Sequence, residues 1–545
     1  MKTIMIISKL WKGQTMKNIS LNDFFADNDR ELFAKAMDHL KGNPHTCLTV
    51  PSRVYDITTD KARAAQTSVM TGEFTADPQS VMFKPEYDYD IGIDICGLKD
   101  CRIEADGATL LIDGFMEPIC IRECENVTVL GFTILHKRKP YSKGRVLAAK
   151  QLSDGSYKSL IEFDPDCPVT ECTPFSLRVL YYDTANEEPV LSDFKGYEFI
   201  DEYHILSYDS SDTPIKKGLE YYSCHTYHSR PAVMIENSKD TVIESITVHN
   251  NCGMGFLGHR CENLTLRGCR VTPVDGDRMS TNTDASHFTS IKGELNLFDC
   301  IFEYHGDDFS NIHGYYQKIR EVLCENECLV SDCTPTGIHA QVIDYPDIGE
   351  KMELTDLSTL KVLDTYTVTE SVPMYEEKWQ TRLCLDHSLP ENAEGLCLMN
   401  ITRLPRVHVS GCSSLDHYAR SLVIKTRDVL IENCYFRNVR ETAITAYAEP
   451  YWGEGASPAN VTVRGCRFEN CGFARGPVSA VLASVPVHKN AANAVHSITV
   501  ENNYISTDCP HAMRFVNVDG VTVSDNICKC TGEVVLFEEC NDINY

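Results

Sequence analysis

The stretch RVHVSGCSSLDHYARSLVIKTRDVLIENCYF, from Arg406 to Phe436, contains one short phrase twice. In RVHVSGCSS and in DVLIENCYF, two apolar residues are separated by one residue, which is the alternation typical of a β-strand. The second apolar positions, Val409 and Ile431, are 22 residues apart, and a cysteine follows each of them at the same offset. The stretch therefore predicts two successive turns of a repeating β structure.

The same phrase recurs along most of the chain. Its other copies are NVTVLGFTI, NLTLRGCRV, ELNLFDCIF, NVTVRGCRF, SITVENNYI and GVTVSDNIC, which begin at Asn126, Asn263, Glu294, Asn460, Ser497 and Gly520. Strands at a period of 22 or 23 residues, with no helical periodicity and with loops at fixed points, are typical of a parallel β-helix. Because one coil cannot bury its apolar face alone, stacked coils bury a continuous core. The sequence thus predicts an all-β solenoid.

Cysteines occupy one position of the repeat. The chain has 25 of them and no C-x2-C pair, so a closed zinc site is not indicated. Stacked coils place equivalent residues in ladders, and a small polarisable side chain fills an inward corner well. We therefore expect a buried, reduced, metal-free ladder rather than a zinc or redox centre, continued by asparagines that hydrogen-bond along it: Cys269, Cys300, Cys412, Cys434, Cys466, Asn503 and Asn526.

The repeat has a predicted cap and two interruptions. The segment LNDFFADNDRELFAKAMDHLKG has apolar residues at helical spacing after Asn22 or Asp23 as N-cap, and it predicts a helix that closes the end of the solenoid. Two stretches contain strands outside the coil register, and we interpret them as inserted β subdomains. The predicted units are 17–135 (cap and first coils), 136–230 (first subdomain), 231–333 (central coils), 334–394 (second subdomain) and 395–545 (last coils).

The charge balance narrows the class of partner. A net charge of -27 argues against nucleic acid and anionic membranes, which both need basic surface, and suits a neutral ligand. The apolar run from Ile4 to Ile7 is too short for the core of a signal peptide, and no run reaches the length of a membrane span. We therefore expect a cytoplasmic protein, unless the start site is misassigned. The oligomeric state is not indicated.

Three aspartates form the candidate catalytic centre. Asp284 precedes Asp307 by 23 residues, which is one coil, and Asp308 is adjacent. We expect Asp284 and Asp307 at equivalent positions of neighbouring coils, so that three carboxylates meet on one surface. Like charges this close raise at least one pKa, which supplies an acid beside a base. The alternative is that these residues only shape turns, where aspartate is common.

Further side chains are candidates for binding substrate. Asn282, His287, Asn311 and His313 lie close to the aspartates in sequence. Lys425 lies in a strand phrase, where a lone lysine is more often exposed than functional. The loop AYAEPYWGEG, from Ala446 to Gly455, carries Glu449, Tyr451, Trp452 and Glu454, and we select Glu449 and Trp452 from it. An aromatic ring can stack on a sugar and a carboxylate can bind its hydroxyls, although a solvated loop is equally consistent. No metal or cofactor is indicated.

On these motifs the chain resembles the pectate-lyase-like superfamily of right-handed parallel β-helices. NTD at Asn282–Asp284 and GDD at Gly306–Asp308 are similar to the motifs of polygalacturonases, glycoside hydrolase family 28. The wider setting, with one aspartate a coil before an aspartate pair and with inserts in the helix, more closely resembles glycoside hydrolase family 110, the α-1,3-galactosidases.

The second resemblance implies inserted β-barrel domains and an exo-acting, inverting hydrolase that releases α-linked galactose from a galactose-terminated oligosaccharide. It implies Asp307 as the general acid and Asp284 with Asp308 as the base. The carboxyl groups of an inverting pair are expected about 6.5–9.5 Å apart, against about 5–5.5 Å in a retaining enzyme.

Two other functions remain open. A polygalacturonase-like hydrolase is disfavoured because Ile312–His313–Gly314 and Val423–Ile424–Lys425 only approximate the later motifs of that family. A polyanionic substrate also suits a chain of charge -27 poorly. A non-catalytic β-helix that binds glycans or acts as an adhesin would need no acid and base at a shared coil position.

Overall fold

The computed structural model describes residues 16–74, 87–176, 178–226, 228–274, 276–332, 344–374, 380–474, 478–485 and 494–545. Residues 1–15, on which the expectation about export rests, lie outside these ranges. Across the described ranges, no helix is both long and apolar enough to span a membrane.

The body of the protein is a parallel β-helix with three long sheets, here called A, B and C. Each coil adds one strand to a sheet, in the register that the repeat phrases predict. Val409 pairs with Ile431 in sheet A, and Leu297 pairs with Val409. Within the described residues, sheet A has 13 strands and sheet B has 11. The predicted solenoid is confirmed.

The strands of the three sheets have the following bounds. Sheet A contains Lys17–Ser20, Thr46–Val50, Lys99–Ala105, Glu125–Leu130, Lys239–Glu244, Glu262–Arg267, Lys292–Phe298, Arg406–Ser410, Arg427–Glu432, Ala459–Arg464, Val495–Glu501, Val518–Ser524 and Asn541–Asn544. Sheet B contains Val54–Thr58, Thr109–Asp113, Thr133–His136, Thr247–Val248, Arg270–Val271, Ile301–Glu303, Ser413–His417, Tyr435–Val439, Arg467–Glu469, Tyr504–Ser506 and Ile527–Lys529. Sheet C contains Ile91–Cys96, Glu117–Arg122, Val233–Glu236, Phe256–His259, Ser286–Thr289, Ser310–Cys324, Leu422–Ile424, Ile444–Ala446, Val478–Ser484, His511–Val516 and Val535–Glu538.

The cysteine ladder lies inside the helix, as predicted. Its five members are buried and form no disulfide: Cys269, Cys300, Cys412, Cys434 and Cys466. The asparagines that continue the ladder bond along it. Asn503 Oδ1 accepts the backbone N–H of Cys466 at 2.8 Å, and Asn526 Oδ1 accepts that of Asn503 at 3.0 Å. The side-chain amide of Asn526 donates to the carbonyl of Val500. The corner thus changes from thiol to amide without losing its internal hydrogen bonds.

A helix covers the N-terminal end of the core. It spans Asp29–Lys41, and the side chain of Asn28 caps it by accepting the N–H of Glu31. The predicted cap was wrong, because Asn22 and Asp23 lie in a separate 3-10 turn, Leu21–Asp23. Apolar side chains of the helix join the core of the first coils: Phe33, Ala36, Met37 and Leu40. A second helix, Asp60–Met70, was not predicted, and a further 3-10 turn spans Pro450–Trp452.

The first insert is a closed six-stranded antiparallel barrel with its own apolar core. Its strands lie within the range 136–230: Tyr141–Gln151, Tyr157–Phe163, Arg178–Asp183, Glu188–Asp201, His204–Ser210 and Glu220–Cys224. The antiparallel pairing explains why its strand phrases lack the coil register, since each strand returns beside its neighbour instead of advancing one coil.

The second insert is a six-stranded ring of antiparallel strands, here called the second barrel. Its strands are Ser310–Cys324, Glu327–Asp332, Lys351–Asp356, Lys361–Met374, Gln380–Leu385 and Cys397–Asn400. It extends beyond the predicted range 334–394 at both ends. The reason is that the strand Ser310–Cys324 begins in sheet C and continues without a break into the barrel.

Candidate active site

The three aspartates lie at the points where successive coils enter sheet C. Asp284 precedes the strand Ser286–Thr289, and Asp307 with Asp308 precedes the strand Ser310–Cys324. One carboxylate oxygen from each of the three lies within 4.8 Å of the other two. The side chains of Asp284 and Asp308 are almost fully buried, whereas that of Asp307 is 19% exposed. Three carboxylates therefore converge on one surface, with Asp307 nearest to solvent.

The register of this ladder differs from the prediction. Ser286 pairs with Ser310, so the coil is 24 residues long here and Asp284 is equivalent to Asp308, not to Asp307. The backbone N–H of Asp308 donates to Asp284 Oδ1 at 3.2 Å. Gly306 lies against the preceding coil, where an added Cβ would meet the carbonyl oxygen of Asn282 at 2.2 Å. Glycine is thus needed for close approach of the backbone, which lets the turn present Asp307 beside Asp308.

The convergence is tighter than the sequence predicted. Oxygens within 4.8 Å of one another do not match the separation of about 6.5–9.5 Å expected for an inverting pair. That expectation counts two carboxylates, whereas this site holds three. The spacing alone therefore does not decide the stereochemistry.

Arg420 is a member of the site that the sequence analysis missed. It precedes the strand Leu422–Ile424, one coil beyond Asp308. Its Nη2 donates to Asp308 Oδ2 at 2.8 Å, and its Nε and backbone N both donate to Asp308 Oδ1 at 3.1 Å. Its Nη1 lies 3.1 Å from Glu449 Oε1. The planar guanidinium thereby binds both oxygens of Asp308, the geometry that arginine favours with carboxylates.

Arg178, also missed, comes from the first barrel. It begins the strand Arg178–Asp183, and its Nη1 donates to Asp307 Oδ2 at 3.1 Å. The insert therefore contributes a cationic side chain to the candidate acid, a contact across 129 positions of sequence.

One wall of the candidate site is formed by Lys425 and the loop after the strand Ile444–Ala446. Lys425 is fully buried, contrary to the more common exposed lysine, and its Nζ contacts Glu454, Glu449 and Asn311. Asn311 also donates to Glu454 at 3.2 Å. Burial acts to lower the pKa of Lys425, but Glu454 and Glu449 outweigh it and raise the pKa above its usual value. The ammonium is therefore held charged as the centre of a buried ion-pair network.

The two predicted histidines link the aspartates to this wall. His287 Nδ1 lies 2.7 Å from Asp284 Oδ2, and His287 Nε2 lies 2.8 Å from His313 Nε2. His313 Nε2 lies 3.6 Å from Glu454 Oε1. Burial lowers the pKa of both imidazoles, to about 4 for His287 and about 3 for His313.

Asp284 and Asp308 differ in the charged groups that surround them. Burial raises the pKa of Asp284 well above its usual range, and the charge of Asp307 adds to the shift. Burial also raises the pKa of Asp308, against the opposing charge of Arg420. We consider Asp308 ionised, because both of its oxygens accept N–H donors from Arg420. Asp308 thus has Arg420 as a counter-ion, which it shares with Glu449, whereas Asp284 has imidazole and backbone neighbours.

Asn282 has a different role from the predicted one. Its side chain is fully buried and its amide nitrogen donates to the carbonyls of Pro140 and Thr226, which flank the first barrel. It therefore anchors the insert and does not face a substrate. Trp452, by contrast, is 43% exposed and lies edge-on to Tyr451 with ring centroids 4.8 Å apart. Both rings are exposed, and the stacking on a sugar predicted for Trp452 stays a prediction.

Comparison with known proteins shows which proteins this chain is similar to. The family model described as "Right handed beta helix region" matches residues 399–544. Alpha-1,3-galactosidase A of Shewanella woodyi is 24% identical over 538 residues, which cover 90% of this chain and 84% of that protein. Alpha-1,3-galactosidase A of Bacteroides thetaiotaomicron is 23% identical over 554 residues, with 95% and 89% covered. This chain is a distant relative of α-1,3-galactosidases. The predicted resemblance to these proteins is confirmed.

A further relative and two solved structures complete the comparison. Alpha-1,3-galactosidase B of Phocaeicola vulgatus is 23% identical, with 81% of this chain and 78% of that protein covered. The Azotobacter vinelandii mannuronan C-5 epimerase AlgE6 A-module matches with TM-score 0.39 at 9% identity, over 96% of this chain and 98% of that chain. The GH87 α-1,3-glucanase of Streptomyces thermodiastaticus matches with TM-score 0.37 at 9% identity, over 98% and 70%. Scores of this size do not bear on function.

Proposed function

We propose that this protein is an exo-acting, inverting glycoside hydrolase that releases terminal α-linked galactose, with α-1,3 as the preferred linkage. The convergence of Asp284, Asp307 and Asp308 within 4.8 Å is the observation that carries the proposal. An acid and a base at one point are what glycosidic cleavage requires. Three relatives named α-1,3-galactosidase align with 81–95% of the chain. Their names support galactose as the released sugar and α-1,3 as the linkage.

Asp307 suits the general acid. It is the most exposed of the three carboxyl groups, so it can reach the oxygen of the departing group. Arg178, 3.1 Å away, stabilises the carboxylate that remains once the proton has been donated.

The attacking water suits the space between Asp284 and Asp308. Two hydrogen bonds of about 2.8 Å at the angle of a water molecule span about 4.5 Å between their acceptors. Carboxylate oxygens up to 4.8 Å apart are therefore close enough to hold one water between them. Water held in this way, with the acid on the exposed side, supports inversion despite the short spacing.

The surroundings favour one neutral terminal sugar. The first barrel supplies Arg178, and the second barrel extends from the strand that holds Asn311. The loop with Trp452 is joined to the site through Glu449, which contacts Arg420 and Lys425. Three cationic side chains border the site, and each already pairs with at least one carboxylate: Arg178, Arg420 and Lys425. A galacturonate would have to compete with these carboxylates. A neutral galactose can instead stack on the exposed rings and donate hydroxyl hydrogen bonds.

The test is hydrolysis by purified protein of galactobiosides with α-1,3, α-1,4 and α-1,6 linkages, with oligogalacturonate in parallel and Asp307→Asn as the inactive control. We expect release of single galactose units, fastest from the α-1,3 substrate. Proton NMR of the early reaction should show the β-anomer first. The α-anomer appearing first would refute inversion. Cleavage of oligogalacturonate alone would indicate the polygalacturonase-like alternative, and binding without cleavage would indicate a glycan-binding protein.

A further inference from the structure

The side chains of Asp284, His287 and His313 form an unbroken hydrogen-bonded chain behind the site. Asp284 Oδ2 is 2.7 Å from His287 Nδ1, and the two Nε2 atoms of the histidines are 2.8 Å apart. The chain ends where His313 Nδ1 lies 2.9 Å from the carbonyl oxygen of Gly314. All three side chains are buried, so their donors and acceptors are expected to find partners within the protein.

The carbonyl of Gly314 fixes the direction of this chain. A carbonyl oxygen only accepts, so His313 Nδ1 carries a proton. A neutral His313 then has a lone pair on Nε2, and His287 Nε2 must donate to it. A neutral His287 in turn has a lone pair on Nδ1, and Asp284 must donate to it through a carboxyl O–H. With both imidazoles neutral, the chain is consistent only when Asp284 is protonated.

The other arrangement places an imidazolium beside an ionised Asp284. Burial opposes it, because it lowers the pKa of His287 to about 4 and that of His313 to about 3. The charges that face the pair do not reverse this, since Glu454 and Asp307 favour an imidazolium while Lys425 disfavours it. The proton therefore remains on Asp284.

We propose that Asp284 is held as a neutral carboxylic acid by the His287–His313 pair, which leaves Asp308 as the carboxylate that activates water. Asp308 meets this role because Arg420 binds both of its oxygens as a counter-ion. The protonation of Asp284 rests on the hydrogen-bond geometry and on the burial of the two imidazoles, whereas the role of Asp308 rests on the proposed function.

The reaction then balances without a change at Asp284. Asp308 takes a proton from water as the water oxygen bonds to the anomeric carbon. The glycosidic carbon–oxygen bond breaks, and its oxygen takes the proton of Asp307. Asp284 keeps its own proton, donates it to His287 and accepts the backbone N–H of Asp308. It is a positioning residue that holds Asp308 and the water in place.

A metal ion is the competing occupant of the gap between the histidines. His287, His313 and Glu454 offer ligand atoms within 4.8 Å of one another. Two nitrogens bound to one tetrahedral zinc at about 2.05 Å would be about 3.3 Å apart, whereas these are 2.8 Å apart. The ammonium of Lys425 also contacts Glu454. The gap therefore fits a shared proton better than a dication.

The first test is infrared difference spectroscopy of the wild type against Asp284→Asn at neutral pH. We expect the carbonyl band of a protonated carboxylic acid in the wild type and its loss in the variant. His313→Gln and His313→Leu are a matched pair. The glutamine carbonyl accepts the N–H of His287 and keeps the band, whereas leucine lets His287 turn its N–H toward an ionised Asp284 and loses it. Absence of the band from the difference between the wild type and Asp284→Asn, or one zinc per chain that is lost in His313→Leu, overturns the proposal.

The second test compares two amide variants on the galactoside that the wild type cleaves. In Asp284→Asn the amide still donates to His287 and accepts from Asp308, so we expect kcat/KM to fall by no more than about 10-fold, against about 1,000-fold or more for Asp308→Asn. Equal losses would overturn the assignment of the base. If the wild type cleaves no galactoside, the proposed function and the role of Asp308 fail together, and the infrared band still decides the state of Asp284.

Discussion

Two ladders of stacked side chains run along the same helix with the same one-coil spacing. The inner ladder repeats cysteine, and its thiols donate to carbonyls of the preceding coil, as Cys434 does to Val409. The outer ladder is Asp284, Asp308 and Arg420, two aspartates followed by an arginine on successive coils. The comparison teaches that a stack of identical residues is favourable where the neighbouring side chains are small and apolar. It is unfavourable where the neighbouring side chains carry the same charge. Two aspartates can stack in the outer ladder only if a cation pairs with one of them or a proton neutralises one of them.

The largest expected effect is loss of activity when Asp308 of the outer ladder, or Asp307 beside it, loses its carboxyl group. Asp307→Asn and Asp308→Asn each remove one of the two proton-transferring groups, and we expect kcat/KM to fall by about 1,000-fold or more while thermal unfolding stays close to wild type. Galactoside hydrolysis and circular dichroism measure the two effects. Asp154→Asn, in an exposed turn of the first barrel, is the control. Near-normal activity in either variant would contradict the catalytic assignment.

A buried aspartate for which the described residues provide no counter-ion extends the comparison to the first barrel. Within the first barrel, Asp209 bonds to Tyr181 and Ser207, and burial raises its pKa from 3.8 to about 6. A raised pKa means that its contribution to folding is complete below about pH 4 and is lost as pH rises to about 6. A shift of about two units corresponds to about 3 kcal/mol.

We therefore expect Asp209→Asn to gain up to about 3 kcal/mol over wild type above pH 6 and nothing below pH 4. Denaturant unfolding at pH 4, 5 and 7 measures the difference. An advantage that does not grow with pH would show that the carboxyl group is not responsible.

Removing the contact of the first barrel with Asp307, beside the outer ladder, should have a smaller effect on activity. Arg178→Ala deletes the partner of Asp307, and we expect kcat/KM to fall about 10- to 100-fold because the acid is then poorly oriented. Arg145→Ala removes an exposed ion pair with Glu162 on the same barrel and should leave kcat/KM unchanged. A loss of equal size in both variants would indicate damage to the barrel rather than to the site.

The inner ladder should lose least. Cys434→Ala removes one buried thiol, and we expect a loss of about 1 kcal/mol of stability with activity retained, because a small cavity replaces the sulfur. Cys324→Ala, at an exposed position of the second barrel, should change neither property. Denaturant unfolding of both variants checks this, and a loss of activity in Cys434→Ala alone would show that the two ladders are coupled.

Much of the fold could be predicted from the sequence because a coil leaves a period. Val409 and Ile431 pair as their spacing indicates. The sequence boundaries of the second barrel could not be predicted from this period, because the strand Ser310–Cys324 belongs to a coil at one end and to the barrel at the other. The helix cap was misplaced because Ser20, Asn22 and Asn28 are all residue types that accept a backbone N–H, and only packing decides between them.

The candidate site was predicted in part for the same reason. The aspartates and histidines are neighbours in sequence, whereas the second barrel separates Asp308 from Arg420 by 112 residues. A signal did exist. Leu297 and Val409, the equivalent positions of two repeat phrases, differ by the same 112 residues, so aligning the phrases across the insert would have placed Arg420 beside Asp308. Arg178 had no such signal, because its barrel does not follow the period.

The anchor made by Asn282 has a consequence for how such a protein can change. Its amide donates to the carbonyls of Pro140 and Thr226, so the polypeptide leaves the coils for the first barrel and returns to them at one point. A module attached in this way can be lengthened, shortened or exchanged while the coils on either side keep their register. The carboxylates belong to the solenoid and Arg178 to the module. The solenoid therefore fixes the carboxylates, whereas a change in the module would alter the entrance and the setting of Asp307 together.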